Sequence, residues 1–196
     1  MSFEPGECFG ADAFLFGLIT FPIVPEFIPK IPIGMEQRLS NQANRQTAVA
    51  IDADAGGAAA LAVWADTRTG NEDPDIFGTL VDGDGAPTGS LITFPTSLLD
   101  EGDPSVAEGN GEWLVLWRRG IDTPGLGTDT QIMASLVTAN GTIVDTAQLA
   151  NDTVNRYPRV VYDGSVYWAT WEIGDFNCEA FCQFFPTNGH VVEIST

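Results

Sequence analysis

The residues best suited to chemistry in this sequence are two pairs of closely spaced acids. Asp82 and Asp84 alternate with glycines, and Asp52 and Asp54 lie just before a double glycine. Carboxylates spaced along a glycine-rich turn are ligands that Ca²⁺ accepts. Neither pair is followed by the glutamate that closes an EF-hand loop, and two later turns of similar sequence carry no acid pair. We therefore predict hairpin turns at both places, with calcium binding as the alternative and no other cofactor.

Three cysteines and a single histidine are the next candidates. Cys178 and Cys182 are four residues apart in a predicted strand, which separates them by about 13 Å when extended. Bridged cysteines have Cα atoms within about 7 Å, so a disulfide from Cys8 to either of them is favoured over a bond between the two. Three reduced thiols are the alternative. A zinc site that adds His190 has suitable ligand types but lacks a paired Cys-x-x-Cys spacing.

Support for catalysis is thin. A Ser-His-Asp triad would need His190, yet no Gly-x-Ser-x-Gly elbow is present. Asp66 and Glu172 follow repeated tryptophans and resemble a glycosidase acid pair. The equivalent place in the middle of the chain is Arg118-Arg119. The sequence therefore favours a non-catalytic protein, with an enzyme as the alternative.

The elements that would position these residues repeat three times. Three tryptophans, each ending an apolar segment, are 53 and 54 residues apart. Each is followed by a second apolar segment and then by a turn glycine. A fixed period of this size indicates a repeat architecture, here of four short strands per unit. The repeated core residues are Trp64, Trp117 and Trp171, with Phe77, Met133 and Phe181 in the following strands; the turn glycines are Gly85, Gly141 and Gly189.

Both faces of the repeated strands are apolar. Trp113, Val115 and Trp117 alternate with Leu114 and Leu116. A sheet with one wet face would alternate apolar with polar residues, so we expect each sheet to be covered on both sides. Four-stranded sheets stacked face to face around an axis form a β-propeller. We predict an all-β, propeller-like fold with three four-stranded blades and an N-terminal partial blade; the ranges are an arm and partial blade at 1–34, then blades at 35–98, 99–150 and 151–196.

The charge balance limits the partners. The 196 residues carry 27 acids and 8 lysines and arginines, a net charge of −19. Such a surface repels phosphate backbones and anionic membranes, so we predict no nucleic-acid binding. The apolar stretch from Phe14 to Ile33 contains four prolines and is not predicted to span a membrane. Met1 to Gly10 lacks the apolar run of a signal peptide.

Three blades do not close a ring, because propellers use four or more. The sequence therefore predicts completion by self-association or by a longer repeat chain, since open sheet edges invite pairing.

One unit resembles a known repeat. The run Val63-Trp64-Ala65-Asp66-Thr67-Arg68, then Asp75-Ile76-Phe77-Gly78, then Val81-Asp82 and Gly85 is similar to propeller-type repeats of bacterial secreted and cell-surface proteins. That resemblance implies an extracellular or cell-surface location and no particular activity. The resulting hypothesis is a non-catalytic extracellular binding or assembly module. The alternative is a carbohydrate-active propeller domain, either lectin-like or similar to glycoside hydrolases and sialidases.

Overall fold

The regular secondary structure in the described part of the chain consists of antiparallel strands. The structure is a computed structural model that describes residues 36–42, 45–68, 73–120, 130–177 and 183–195, which all belong to one compact unit. No helix occurs in these residues, so none is long and apolar enough to cross a membrane. The strands are β1 (Gln46–Ala53), β2 (Ala59–Asp66), β3 (Asp75–Asp82), β4 (Ile92–Thr93), β5 (Glu101–Gly109), β6 (Glu112–Arg119), β7 (Thr130–Thr138), β8 (Ile143–Tyr162), β9 (Tyr167–Asn177) and β10 (Gln183–Ile194).

These strands form three sheets, two of which share a strand. Sheet 1 has the order β1-β2-β3-β4. Sheet 2 contains β5, β6, β7 and the first part of β8, and sheet 3 contains the last part of β8 with β9 and β10. The change of partner occurs between adjacent residues, because Thr153 pairs with Thr130 of β7 and Val154 pairs with Gly174 of β9. No sheet closes on itself in the described residues.

The sheets stack face to face in chain order. In each sheet we call the face that carries the repeated tryptophan the tryptophan-type face, and the opposite face the leucine-type face. The leucine-type face of sheet 1, with Leu61 and Val63, packs on the tryptophan-type face of sheet 2, with Trp113 and Trp117. The leucine-type face of sheet 2 packs in the same way on the tryptophan-type face of sheet 3, which includes Trp171. Burial on both faces explains why these strands lack polar alternation. The predicted all-β, propeller-like fold is confirmed, while the N-terminal partial blade lies outside the described residues.

Sheet 3 differs in its strand boundaries from the sequence prediction. Gly189 was expected to make a turn between a third and a fourth strand. Instead β10 runs through it as one strand, and Gly189 pairs with Glu172 of β9. A register shift between Pro186 and Asn188 accommodates a proline that cannot donate to the ladder. In the described residues sheet 3 therefore has three strands, because pairing along the long β9 overrides the local turn signal.

The first strand of sheet 1 also differs, by two residues. An alignment of the repeats by sequence alone places Thr47–Ala50 opposite Pro104–Ala107. In the structure Ala50 pairs with Val63, and Ser105 pairs with Leu116, each the residue before a repeated tryptophan. Ala50 is therefore equivalent to Ser105. The period-2 pattern did not reveal the error because a shift of two residues leaves every side chain on its original face.

Candidate ligand site

The first strand of each sheet is interrupted by a bulge at an equivalent position. Ala48 in β1, Asp103 in β5 and Tyr157 in β8 have φ values of 52°, 52° and 51°. In each strand the register with its neighbour shifts at this point. Non-glycine residues in the left-handed region are strained by about 1–3 kcal/mol each, and they collect at binding and catalytic sites, as bulges do. Three such residues at equivalent positions make this edge of the stacked sheets the candidate ligand site.

Two cavities lie beside the bulges of β1 and β5 and share Ala48 and Asp103. The first, of about 410 Å³, is bordered by Val49 and Ile51, which are 62% and 58% exposed. The second, of about 360 Å³, lies toward the beginning of β5. Its wall is mostly polar and charged: Arg45, Thr47, Thr67, Asp100, Glu101, Asp103 and Arg118.

Glu101 is the unusual residue in this wall. It is fully buried, and neither carboxylate oxygen makes a hydrogen bond of ordinary geometry. Burial, together with the nearby Asp75 carboxylate, raises the pKa of Glu101 to about 7, because removal from water and a like charge both disfavour ionisation. Interactions with the Ile76 amide, Arg119 and Ser97 oppose this shift without cancelling it. Near neutral pH part of the protein therefore carries Glu101 as a protonated carboxyl group, which can both donate and accept hydrogen bonds.

The equivalent positions in the other sheets hold amides. Glu101 lies two residues before the bulge residue, as do Gln46 in β1 and Asn155 in β8. The Asn155 side chain donates to the Thr130 carbonyl oxygen at 2.6 Å. The position is fully buried in sheets 2 and 3 and partly buried in sheet 1, and sheet 2 alone of the described sheets has an acid there.

The other acids of the wall are partly neutralised by arginine. Arg118 donates from Nε to Asp103 Oδ2 at 3.1 Å and from Nη1 to the Gly120 carbonyl oxygen at 3.1 Å. Burial and the neighbouring Asp73 raise the pKa of Asp100, and Arg118 opposes that effect. The cavity wall therefore contains both carboxylates and guanidinium groups.

The Val-Trp-x-Asp-x-Arg motif forms a connected structural unit at the end of β2. Trp64 donates its indole N–H to Asp66 Oδ2 at 3.2 Å, and the same oxygen accepts from Arg68. The Arg68 guanidinium carbon lies 4.0 Å from the ring centroid of Phe77, which pairs with Trp64 across the strands. Each motif residue thus has a structural partner.

The other sheets lack this unit because their sequences lack the acid. Arg119 and Ile173 stand where sheet 1 has Asp66. Accordingly the indole N–H groups of Trp117 and Trp171 have no hydrogen-bond partner in the described structure, although both side chains are buried.

The acids predicted to make turns or bind calcium contact backbone amides. Asp82 Oδ1 accepts from the amides of Asp84 and Ala86, and Asp54 Oδ1 accepts from the Ala58 amide. Asp52 Oδ2 reaches across to β5 and accepts from the Glu108 amide at 2.7 Å. Within the described ranges, no group of three or more acidic, cysteine or histidine residues is arranged to hold a metal ion. Calcium binding stays a prediction.

The remaining predicted residues have different outcomes. Trp64, Trp117, Trp171, Phe77 and Met133 are all at most 5% exposed. Trp171 pairs across the strands with exposed His190, whose ring lies 5.7 Å away. Outside the described residues lie Phe181, Cys8, Cys178 and Cys182.

Sequence reasoning missed both the bulges and Glu101. Prolines directly after Asp103 and Tyr157 were an available signal, because proline within a strand is accommodated at bulges and edges. Glu101 had no comparable signal, since its burial depends on how neighbouring sheets stack.

Comparisons with known proteins found one type of similarity, to solved structures. No known family model and no curated protein sequence matches the chain. Among solved structures, one similar chain is the α-L-arabinanase of Penicillium chrysogenum, determined as a complex with arabinobiose. The two are 16% identical with a TM-score of 0.45, over 78% of this chain, which spans about half (48%) of that enzyme.

Proposed function

We propose that the protein is a non-catalytic extracellular assembly module whose third sheet binds a further sheet. The observation that carries this proposal is the open leucine-type face of sheet 3, formed by Val161, Trp168, Thr170 and Val191. Val161 and Val191 are 60% and 65% exposed. Trp168 and Thr170 occupy the positions that are held by buried leucine and valine residues in the other sheets.

The two observed interfaces between sheets support a further sheet as the partner of this face. At each of them a leucine-type face covers the tryptophan-type face of the next sheet. Leu114 and Leu116, equivalent to Trp168 and Thr170, are 3% and 0% exposed. Large apolar patches on a protein surface mark interaction sites, and burial of such a patch stabilises by about 25 cal/mol per Å². The extracellular location is supported by the sequence resemblance alone.

Self-association through this face can be tested by sedimentation. We expect the wild-type protein at micromolar concentration to exceed the monomer mass, and the double variant Val161→Lys/Val191→Lys to sediment as a monomer. Val144→Lys is the matched control, because Val144 is 54% exposed and lies in the part of β8 that pairs with β7 in sheet 2. A monomeric wild type, or a double variant with the mass of the wild type, would contradict assembly through sheet 3.

A further inference from the structure

We propose that the two cavities beside the bulges of β1 and β5 together bind a short neutral oligosaccharide. The proposal is independent of assembly, because Val161 and Val191 line neither cavity. It depends on three features: the balance of charges, the buried carboxyl group and the adjoining apolar strip.

The charges of the second cavity favour a neutral ligand. Arg45 and Arg118 contribute positive charge, and Asp100 and Asp103 contribute negative charge. An ion of either sign would approach a like charge in this space. A sugar hydroxyl donates one hydrogen bond and accepts others, so a polyol satisfies acids and guanidinium groups together.

Glu101 is a further polar residue of the same wall, and it is fully buried. Both of its oxygens are buried, and neither makes a hydrogen bond of ordinary geometry in the described structure. A buried polar group is destabilising until it is paired. Gln46 and Asn155 show that the fold accepts a neutral amide here, so a carboxyl group is not a structural requirement of the position.

The first cavity supplies an apolar surface on which the ring of a sugar can pack. Val49 and Ile51 are exposed beside the shared residues Ala48 and Asp103. Sugar rings present C–H faces as well as hydroxyl groups, so an apolar strip continuous with a polar cavity matches two linked rings. The cavities, about 410 and 360 Å³, fall within the range of small-molecule sites.

The test is an NMR titration of the ¹⁵N-labelled protein. The neutral probes are maltotriose, cellotriose, xylotriose and mannotriose, and the charged probes are trigalacturonate and chitosan trimer, each to 10 mM. At least one neutral probe should shift the Ala48 and Gly102 amides saturably and bind at least tenfold more tightly than either charged probe. Failure of all four neutral probes, or preference for a charged one, would overturn the proposal.

Two variants then locate the site. Asp103→Ala, which places in β5 the residue that β1 carries at the same left-handed position, should weaken binding at least tenfold. Ile51→Ser, on an exposed side chain, should weaken it at least threefold while the spectrum stays folded. The matched controls Asp145→Ala and Val144→Ser should leave the affinity unchanged. Unaltered affinity in both site variants would place the sugar elsewhere and overturn the assignment.

Discussion

The indole N–H of Trp64 donates to Oδ2 of Asp66 at 3.2 Å, and both side chains are at most 2% exposed. Two residues apart on β2, they lie on one side of the strand, and Arg68 completes the contact. The Val-Trp-x-Asp-x-Arg motif of sheet 1 is therefore a network of structural contacts. Its absence from sheets 2 and 3 leaves two buried indole donors without partners in the described residues.

Removal of this acid should strongly destabilise the protein. We expect Asp66→Ala to lower the free energy of unfolding by about 3 kcal/mol, because it leaves the largely buried Arg68 charge and the Trp64 donor unpaired. Urea denaturation followed by tryptophan fluorescence measures the change. The exposed control Glu193→Ala should change it by less than about 0.5 kcal/mol. Equal effects of the two variants would contradict a structural role for the motif.

Glu101 should make stability depend on pH in the direction opposite to that of a salt-bridged acid. Its pKa is raised to about 7 in the folded protein from 4.5, so the folded state retains the proton longer than the unfolded chain. This contribution to stability is present at low pH and is lost as pH rises from about 4.5 to 7. Glu101→Gln removes it, so the variant should gain stability relative to wild type between pH 5 and pH 8. An unchanged difference between these pH values in urea titrations would refute the assignment.

Asp163 should act in the acidic range with the opposite sign. Its carboxylate accepts from Trp168 Nε1 at 2.8 Å and from the amides of Val166 and Ser165, which lowers the pKa of Asp163. A lowered pKa stabilises the fold above the unfolded value of about 3.8, and this effect is lost as the pH falls below that value. Asp163→Ala should therefore be less stable than wild type at pH 6 and approach it at pH 2.5, as measured by thermal unfolding. A constant difference would count against this contribution.

Gly109 is required by close packing between sheets 2 and 3. A Cβ at this position would lie 2.6 Å from Cδ2 of Tyr162 and 2.8 Å from the hydroxyl of Tyr167, which donates to the Gly109 carbonyl oxygen. Gly109→Ala should thus lower the free energy of unfolding by about 1–3 kcal/mol through overpacking. Gly56→Ala, whose Cβ would meet nothing closer than 3.7 Å, is the control. Equal melting temperatures for the two variants would contradict the steric argument.

The stacked-sheet fold could be predicted because the apolar pattern that causes the stacking lies within single strands. Leu114 and Leu116 alternate with Trp113 and Trp117, and strands that are apolar on both faces require cover on both sides. The continuous β10 could not be predicted in the same way. Asn188-Gly189 is good turn chemistry, and only pairing with β9 decides against a turn.

The candidate site was less predictable for a related reason. Asp52 and Asp54 were noticed for their spacing, yet their partners are backbone amides of strands and turns. No sequence pattern indicated Glu101, because its raised pKa arises from burial between sheets and then from Asp75 in another sheet. Site chemistry here depends on tertiary stacking, whereas strand formation depends on alternation.

The 20-residue strand β8 ends one sheet and begins the next. A cleavage or insertion between Gln148 and Asn155 would consequently break a hydrogen-bonded ladder instead of a surface loop. Tension applied to sheet 3 would pass directly into sheet 2 along this backbone. The second and third repeats should therefore rupture together under load.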